Sequence, residues 1–410
     1  MRSLKLLCLY SLRILLERGS LSNRHSPRAL SIVTALETIV QQGVRPDRVD
    51  VAESLMAASR VKTQDLASRQ KLIASAGVLL GESGPLQLQV ELTQQRSTLM
   101  RLAGDIAGSI RTIQTFLSHA PHAPADVLGP LYVSQAKNFA FRFAFSEAHH
   151  QAKKYAPVRV IEGQSELLWD HIYGVGRILR GEGRFDEARE CFELCLKAVD
   201  LGEARRLLIL SATADLYCEL DYRHGMTEET PSRPLLWEAR HWLIQEVYTL
   251  ESHRRTTKGF RRILLSLIEI QIRLGCDDEA RHYVDKALSM YGCITTPDIV
   301  DRLGHVRTLM AAARVSDLEN AARFWADALR WNRHYNPSEE EVFTCGVVHM
   351  YLCLVRLKLG DTSGSSQHRG RAWQVFATKE RQFLIPGVGT YLIDSVVKEV
   401  QVLTGWSCEI

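Results

Sequence analysis

Small residues return at fixed offsets from four turn positions in this chain. Five residues beyond Gly183, Gly275, Ser316 and Gly360 lie Ala188, Ala280, Ala321 and Ser365, and twelve beyond lie Cys195, Ala287, Ala328 and Ala372. Each turn therefore opens a helix with two small residues seven apart, on the face that a neighbouring helix must approach closely. The spacings of 41 (275 to 316) and 44 (316 to 360) suit stacked helical pairs, and the 92 residues from 183 to 275 leave room for two such units. The pattern predicts a helix-turn-helix repeat over the C-terminal two-thirds.

Upstream, the helical period is clear and the small-residue pattern weaker. Leu6, Leu7, Tyr10, Ile14 and Leu15 form a stripe that continues past Arg13, which reads as a first helix rather than a signal peptide. Ser26-Pro27 opens a second helix. Residues 49 to 80 and 86 to 117 are helix-forming, with turns at Gly81 to Pro85 and at Leu102-Ala103-Gly104-Asp105, and residues 119 to 131 read as a loop. Further on, Thr296-Pro297-Asp298 starts the helix of Ile299 to Met310, and Ser338 with Glu341 after Pro337 forms a capping box. Period-two runs bounded by hairpin turns do not occur. The expected class is all-α.

The strongest unit, Leu167 to Leu201, joins a helix with Tyr173 and Gly176 through Gly183-Arg184-Phe185-Asp186-Glu187-Ala188 to a helix with Phe192 and Leu196. It resembles the tetratricopeptide repeat (TPR). Leu274 to Ala280 with Tyr283 and Ala287 looks like a second copy, and Ala321, Trp325 and Ala328, then Gly360, Ala372 and Trp373, like degenerate third and fourth ones. Ile172 and Leu264 stand where the family usually has Trp, and the closing Pro is mostly missing. The resemblance covers residues 165 to 378 and implies a right-handed superhelix of antiparallel helix pairs, a TPR-like α-solenoid. Residues 1–160 are expected to form degenerate helical hairpins and 161–410 the TPR-like repeats, continuous as one solenoid. Segments 259–270 and 382–392 are also similar to a helical-repeat region of fungal multidomain proteins, a likeness that carries no activity.

Composition changes little in this picture. The 410 residues are 46% hydrophobic and 24% charged with a net charge of +4, too slight a field to argue for nucleic acid. Nine cysteines, without CxxC or His/Cys ligand spacing, read as reduced buried thiols of a cytoplasmic protein. No apolar run has the length of a membrane span.

Candidate chemistry is sparse. No metal site is expected: His149 and His150 are adjacent and diverge on a helix, and Cys191 and Cys195 share a face without further ligands. Gly387-Val388-Gly389 lacks the strand and third glycine of a dinucleotide site and reads as a turn, so no cofactor is expected. The one dense basic cluster contributes Arg254, Arg255, Lys258, Arg261 and Arg262 at the start of a helix of the inner-wall kind. It suits a carboxylate or phosphate, or else is a solvated connecting face. Asp215, Glu219 and Tyr222 share one helix face, where two carboxylates one turn apart act as acid and base if desolvated, or pair with arginines such as Arg261 and Arg262 to fix register. Asp301, His305 and Thr308 form a similar stripe, and the tryptophans read as mortar between layers.

Two functions follow. The first is a non-enzymatic scaffold that binds a peptide or partner protein, with an acidic segment, in its concave groove through the basic cluster. The second is a cofactor-free isomerase, cyclase or lyase acting on a small molecule enclosed by the repeats, with Asp215 and Glu219 as acid and base and Arg261 holding an anion. An open trough favours the first and a closed, aromatic-lined void reaching the carboxylates the second.

Overall fold

The computed structural model describes residues 48–60, 65–155, 165–198, 201–225, 233–252, 257–294, 297–332, 339–377 and 389–406. Among the described residues 86% are helical and none is in a strand. The all-α expectation holds. The two opening helices, Thr296, the capping box at Ser338 and the Gly387-Val388 pair lie outside the described residues.

The chain divides into two compact units, residues 1–134 and 135–410. The first holds α1 (Arg48–Ser59), α2 (Leu66–Leu80), α3 (Leu86–Ala103), α4 (Ile106–His119) and the start of α5 (Ala125–Phe141). Helices α1 with α2 and α3 with α4 form hairpins, and Gly104, at φ 94°, makes the second turn as its sequence context predicts. Five residues on, Ser109 is fully buried and its hydroxyl lies 2.7 Å from that of Ser97, so a serine fills the small position here. The loop read over 119–131 is shorter than expected. Helix α5 begins at Ala125 and carries Pro130 in its second turn, because Leu128 and Leu131 are buried against Val90 and Ile113. That apolar burial outweighs the one ladder hydrogen bond that proline forfeits.

The second unit continues α5 and adds α6 (Phe145–Lys153), α7 (Ser165–Gly181), α8 (Phe185–Leu196), α9 (Glu203–Gly225), α10 (Pro234–Ser252), α11 (Lys258–Leu274) and α12 (Asp277–Gly292). Then follow α13 (Ile299–Arg314), α14 (Leu318–Trp331), α15 (Glu339–Lys358), α16 (Thr362–Ala377) and α17 (Thr390–Thr404). From α7 to α16, odd-numbered helices pair with the even-numbered ones that follow them, and α9 also packs on α11, α11 on α13 and α15 on α17. The gap between 183 and 275 is filled by α9 and α10, the extra unit that the spacing left room for.

All eight small residues of the repeat are buried, none more than 5% exposed. Gly176 shows why small size is required: a Cβ there would meet the Phe192 ring at 2.6 Å. Gly183, Gly275 and Gly360 adopt φ of 77°, 77° and 80°, and the two amides after each helix bond back to its last carbonyls, as Gly183 to Arg180 and Arg184 to Leu179. The same bonds run from Phe143 to Ala140 and from Ala144 to Phe139, with Phe143 at φ 59°. Phe143 thus opens a further copy of the turn, and Ala148, five residues on, is fully buried.

The core of this unit has two large parts, one around α7 to α11 and one around α13 to α17. Helix α17 joins them. Ile393, Val396, Val397 and Val400 lie in the second, while Tyr391 packs on the first.

Candidate functional site

The inner faces of α7, α9, α11, α13 and α15, with the start of α17, surround two adjoining cavities that share Arg180, Asp215, Leu265, Arg307 and Glu340 as walls. Their volumes are about 100 and 200 Å³, and both are open to solvent. The helical period explains the lining: on α13, Val300, Leu303, Gly304, Arg307, Ala311 and Arg314 recur every three or four residues on one face.

Ion pairs between neighbouring inner helices dominate the chemistry. Arg261 donates to Asp301 at 2.7 Å, Lys258 lies 3.0 Å from the same carboxylate and also bonds to Asp298, and Arg302 donates to Glu341 at 2.9 Å. Arg314 grips both oxygens of Glu269 at 2.9 and 2.7 Å, and Arg307 donates to Glu340 at 2.8 Å. Burial works against ionisation of Asp301, but Lys258 and Arg261 outweigh it and hold the carboxyl below its usual range. Asp298 also caps α13, accepting the amides of Val300 and Asp301 at 3.0 and 3.1 Å.

The five basic candidates therefore separate. Arg254 and Arg255 lie outside the described residues. Lys258 and Arg261 are tied to α13, and Arg261 lies over the Tyr291 ring, 5.4 Å from its centroid. Arg262 lines the larger cavity and forms no ion pair among the described residues.

The two carboxylates of α9 also separate. Asp215 lines both cavities, with its side chain 29% exposed, and Arg180 of α7 lies 3.6 Å away. Its partner is this arginine, not Arg261 or Arg262. Burial pushes the Asp215 carboxyl up against the pull of Arg180, Arg307 and Arg177. Glu219 lines neither cavity; it is 1% exposed and accepts the Gly389 amide at 3.1 Å, at the open N-terminus of α17. Burial pushes its carboxyl up to about 6, against Arg180, the α17 amides and Arg273. Nearby, Tyr222 donates to Asp394 at 2.6 Å, Tyr351 to the Leu392 carbonyl at 2.7 Å, and Arg273 lies over both Tyr222 and Tyr391. Glu219, Tyr222 and Arg273 thus dock α17 against the inner wall.

Arg177, Arg180, Arg307 and Arg314 also line the cavities, although none belongs to a dense basic run in the sequence; the signal that marks them is their spacing on one face of first-of-pair helices. In the third stripe, Asp301 serves Arg261, whereas His305 is packed against the Tyr291 and Trp331 rings at 5.4 and 4.3 Å. Burial pushes the His305 imidazole down. No tryptophan lines either cavity, and Trp325, 1% exposed and stacked on Tyr351 at 4.4 Å, is mortar. Among the described residues no helix is long and apolar enough to cross a membrane.

No protein-family model matches the chain, and no curated protein matches it either. Solved structures do. The apo form of the quorum sensor NprR from B. thuringiensis aligns with 90% of this chain and 97% of its own, with a TM-score of 0.54 at 11% identity. A Rap protein complexed with Competence and Sporulation Factor aligns with 77% of this chain and 87% of its own, with a TM-score of 0.51 at 11% identity. At that identity the likeness speaks for fold alone. The chain folds as a TPR-like α-solenoid.

Proposed function

We propose that this chain is a non-enzymatic interaction scaffold whose inner wall takes up a peptide or a segment of a partner protein. The observation that carries the reading is a solvent-open hollow in which charged side chains of several inner helices stay water-accessible: Arg307 keeps 43% of its side chain exposed and Asp215 29%. Extended ligands suit such a groove because successive repeats offer ridges at regular intervals. The Rap structure, with its bound factor, lends support by fold analogy. The same reading places the chain in the cytoplasm, where buried free thiols such as Cys195 and Cys218 stay reduced.

Catalysis draws less support. The acid and base pair it requires is divided, since Glu219 is engaged with α17 while Asp215 faces the hollow. Arg261, its anion holder, is committed to Asp301.

Peptide display against the full chain tests the proposal. Ser211 borders the larger cavity, and Ser211→Trp fills it from the α9 side. Peptides selected on the wild type are expected to lose at least tenfold in affinity for this variant, about the 1.4 kcal/mol of one well-buried contact. Equal binding to both chains, with the variant as thermostable as the wild type, would overturn the groove as the binding surface.

A further inference from the structure

The two adjoining cavities differ in charge. Six Lys or Arg side chains line the larger against three carboxylates, whereas three arginines face three carboxylates in the smaller. Within the larger, Lys258 and Arg261 share Asp301, Arg180 faces Asp215 and Arg307 bonds to Glu340. Arg177 and Arg262 have no ion pair among the described residues. Arg177 is steadied by the Phe141 ring, 5.3 Å from its guanidinium carbon. These two arginines stand on α7 and α11, on either side of α9, whose Ser211 is held 2.8 Å from Ser266 between their helices. The walls of the smaller cavity are apolar where they are uncharged: Leu265, Met310, Ala311, Phe343, Val347 and Leu392.

From this contrast we infer that the ligand of the groove is a short acidic-apolar peptide. Its carboxylate lies in the larger cavity between Arg177 and Arg262, and an adjacent aliphatic side chain enters the smaller one. The inference rests on the groove reading above. Guanidinium forks match a carboxylate geometrically, and cations that close no ion pair in a partly enclosed hollow act at a lower effective dielectric than in bulk water. Arg177 and Arg262 are the specificity residues, and the apolar cavity sets which neighbour the acidic residue has.

The test uses the full chain and four probes. N-acetylated, C-amidated Ala-Glu-Leu-Leu is titrated calorimetrically beside the versions with Gln for Glu, with Ser for the first Leu, and with both changes. The Glu probe is expected to bind roughly tenfold more tightly than the Gln probe, the scale of a charge-assisted hydrogen bond. That preference should fall to about threefold or less in Arg177→Gln and in Arg262→Gln, be partly kept in Arg177→Lys, and shrink with added salt. Because both arginines are half-buried and close no ion pair among the described residues, unchanged melting temperatures are expected of the variants. Equal affinity of the Glu and Gln probes for the wild type overturns the inference while the groove reading stands. So does a preference that survives both Gln variants. Failure of every probe, while display-selected peptides are still blocked by Ser211→Trp, also overturns the inference alone; absence of any groove-binding peptide from the display removes the groove reading itself.

Discussion

Two stretches of the inner wall use the same residue types in opposite ways. Between α11, α13 and α15, Arg261 with Asp301 and Arg302 with Glu341 stand 40 and 39 residues apart, at 2.7 and 2.9 Å, with no side chain above 10% exposed. Between α7 and α9, Arg180 stands 3.6 Å from Asp215, with 20% and 29% of the two side chains exposed, and Arg177, whose charge also acts on Asp215, closes no ion pair among the described residues. Spacing near the repeat length carries a charge from one inner helix to the next in register. Where the pair is buried and well bonded it locks that register; where it is loose and wet it leaves hydrogen-bonding capacity for something else.

The largest expected effect lies in the locked stretch. Asp301→Ala leaves Arg261 without its carboxylate in a buried place, while Lys258 keeps Asp298, and a loss of about 3–5 kcal/mol in urea unfolding is expected. The combined replacement of Asp301 and Arg261 by Leu should recover a large part of it, since the cost comes from the stranded charge. A loss below about 1 kcal/mol in the single variant would erase the distinction between the two stretches.

Glu219 sits where the loose stretch meets α17, and its response to pH sharpens the contrast. Its carboxyl ionises near the ordinary 4.5 in the unfolded chain and at about 6 in the folded one, so the folded chain binds more protons between these values. Its contribution is therefore greatest with the proton on, and it declines as pH rises from about 4.5 to about 6. Glu219→Gln keeps an oxygen for the Gly389 amide and removes the titration. Relative to the wild type, the variant is expected to be equal in stability at pH 4 and more stable at pH 7 by up to about 2 kcal/mol. A deficit at pH 7 would mean that a carboxylate against the start of α17 outweighs its burial.

The repeat was legible because its determinants are local: an αL turn and two small residues at fixed offsets are stated by the sequence itself. The copy at Phe143 escaped because an aromatic holds the turn conformation that glycine holds at 183, 275 and 360. Its ring packs edge-on to Phe343 at 5.6 Å and borders the larger cavity, tertiary contacts that a local pattern does not record. The site was legible only in outline. Asp215 and Glu219 stand one turn apart on α9, as their spacing requires, but their partners, Arg180 and the amide of Gly389, come from outside α9, and Gly389 lies 170 residues along the chain. Periodicity assigns a face; it does not name what that face meets.

The smallest effect on stability and the most telling one on binding are expected from Asp215→Asn. Burial already opposes ionisation of this carboxyl, and its arginine stands too far off for a strong hydrogen bond, so a change of less than about 1 kcal/mol is expected on unfolding. The same substitution removes one of the three carboxylates that offset six cations in the larger cavity. Preference for the Glu probe over the Gln probe should therefore rise, about twofold to fivefold at low salt, whereas Asp301→Asn would disturb the locked pair first and binding second. If Asp215→Asn cost several kcal/mol and left the preference unchanged, the α7 to α9 stretch would be a structural brace like its neighbour, and the inner wall would hold no region set apart for a ligand.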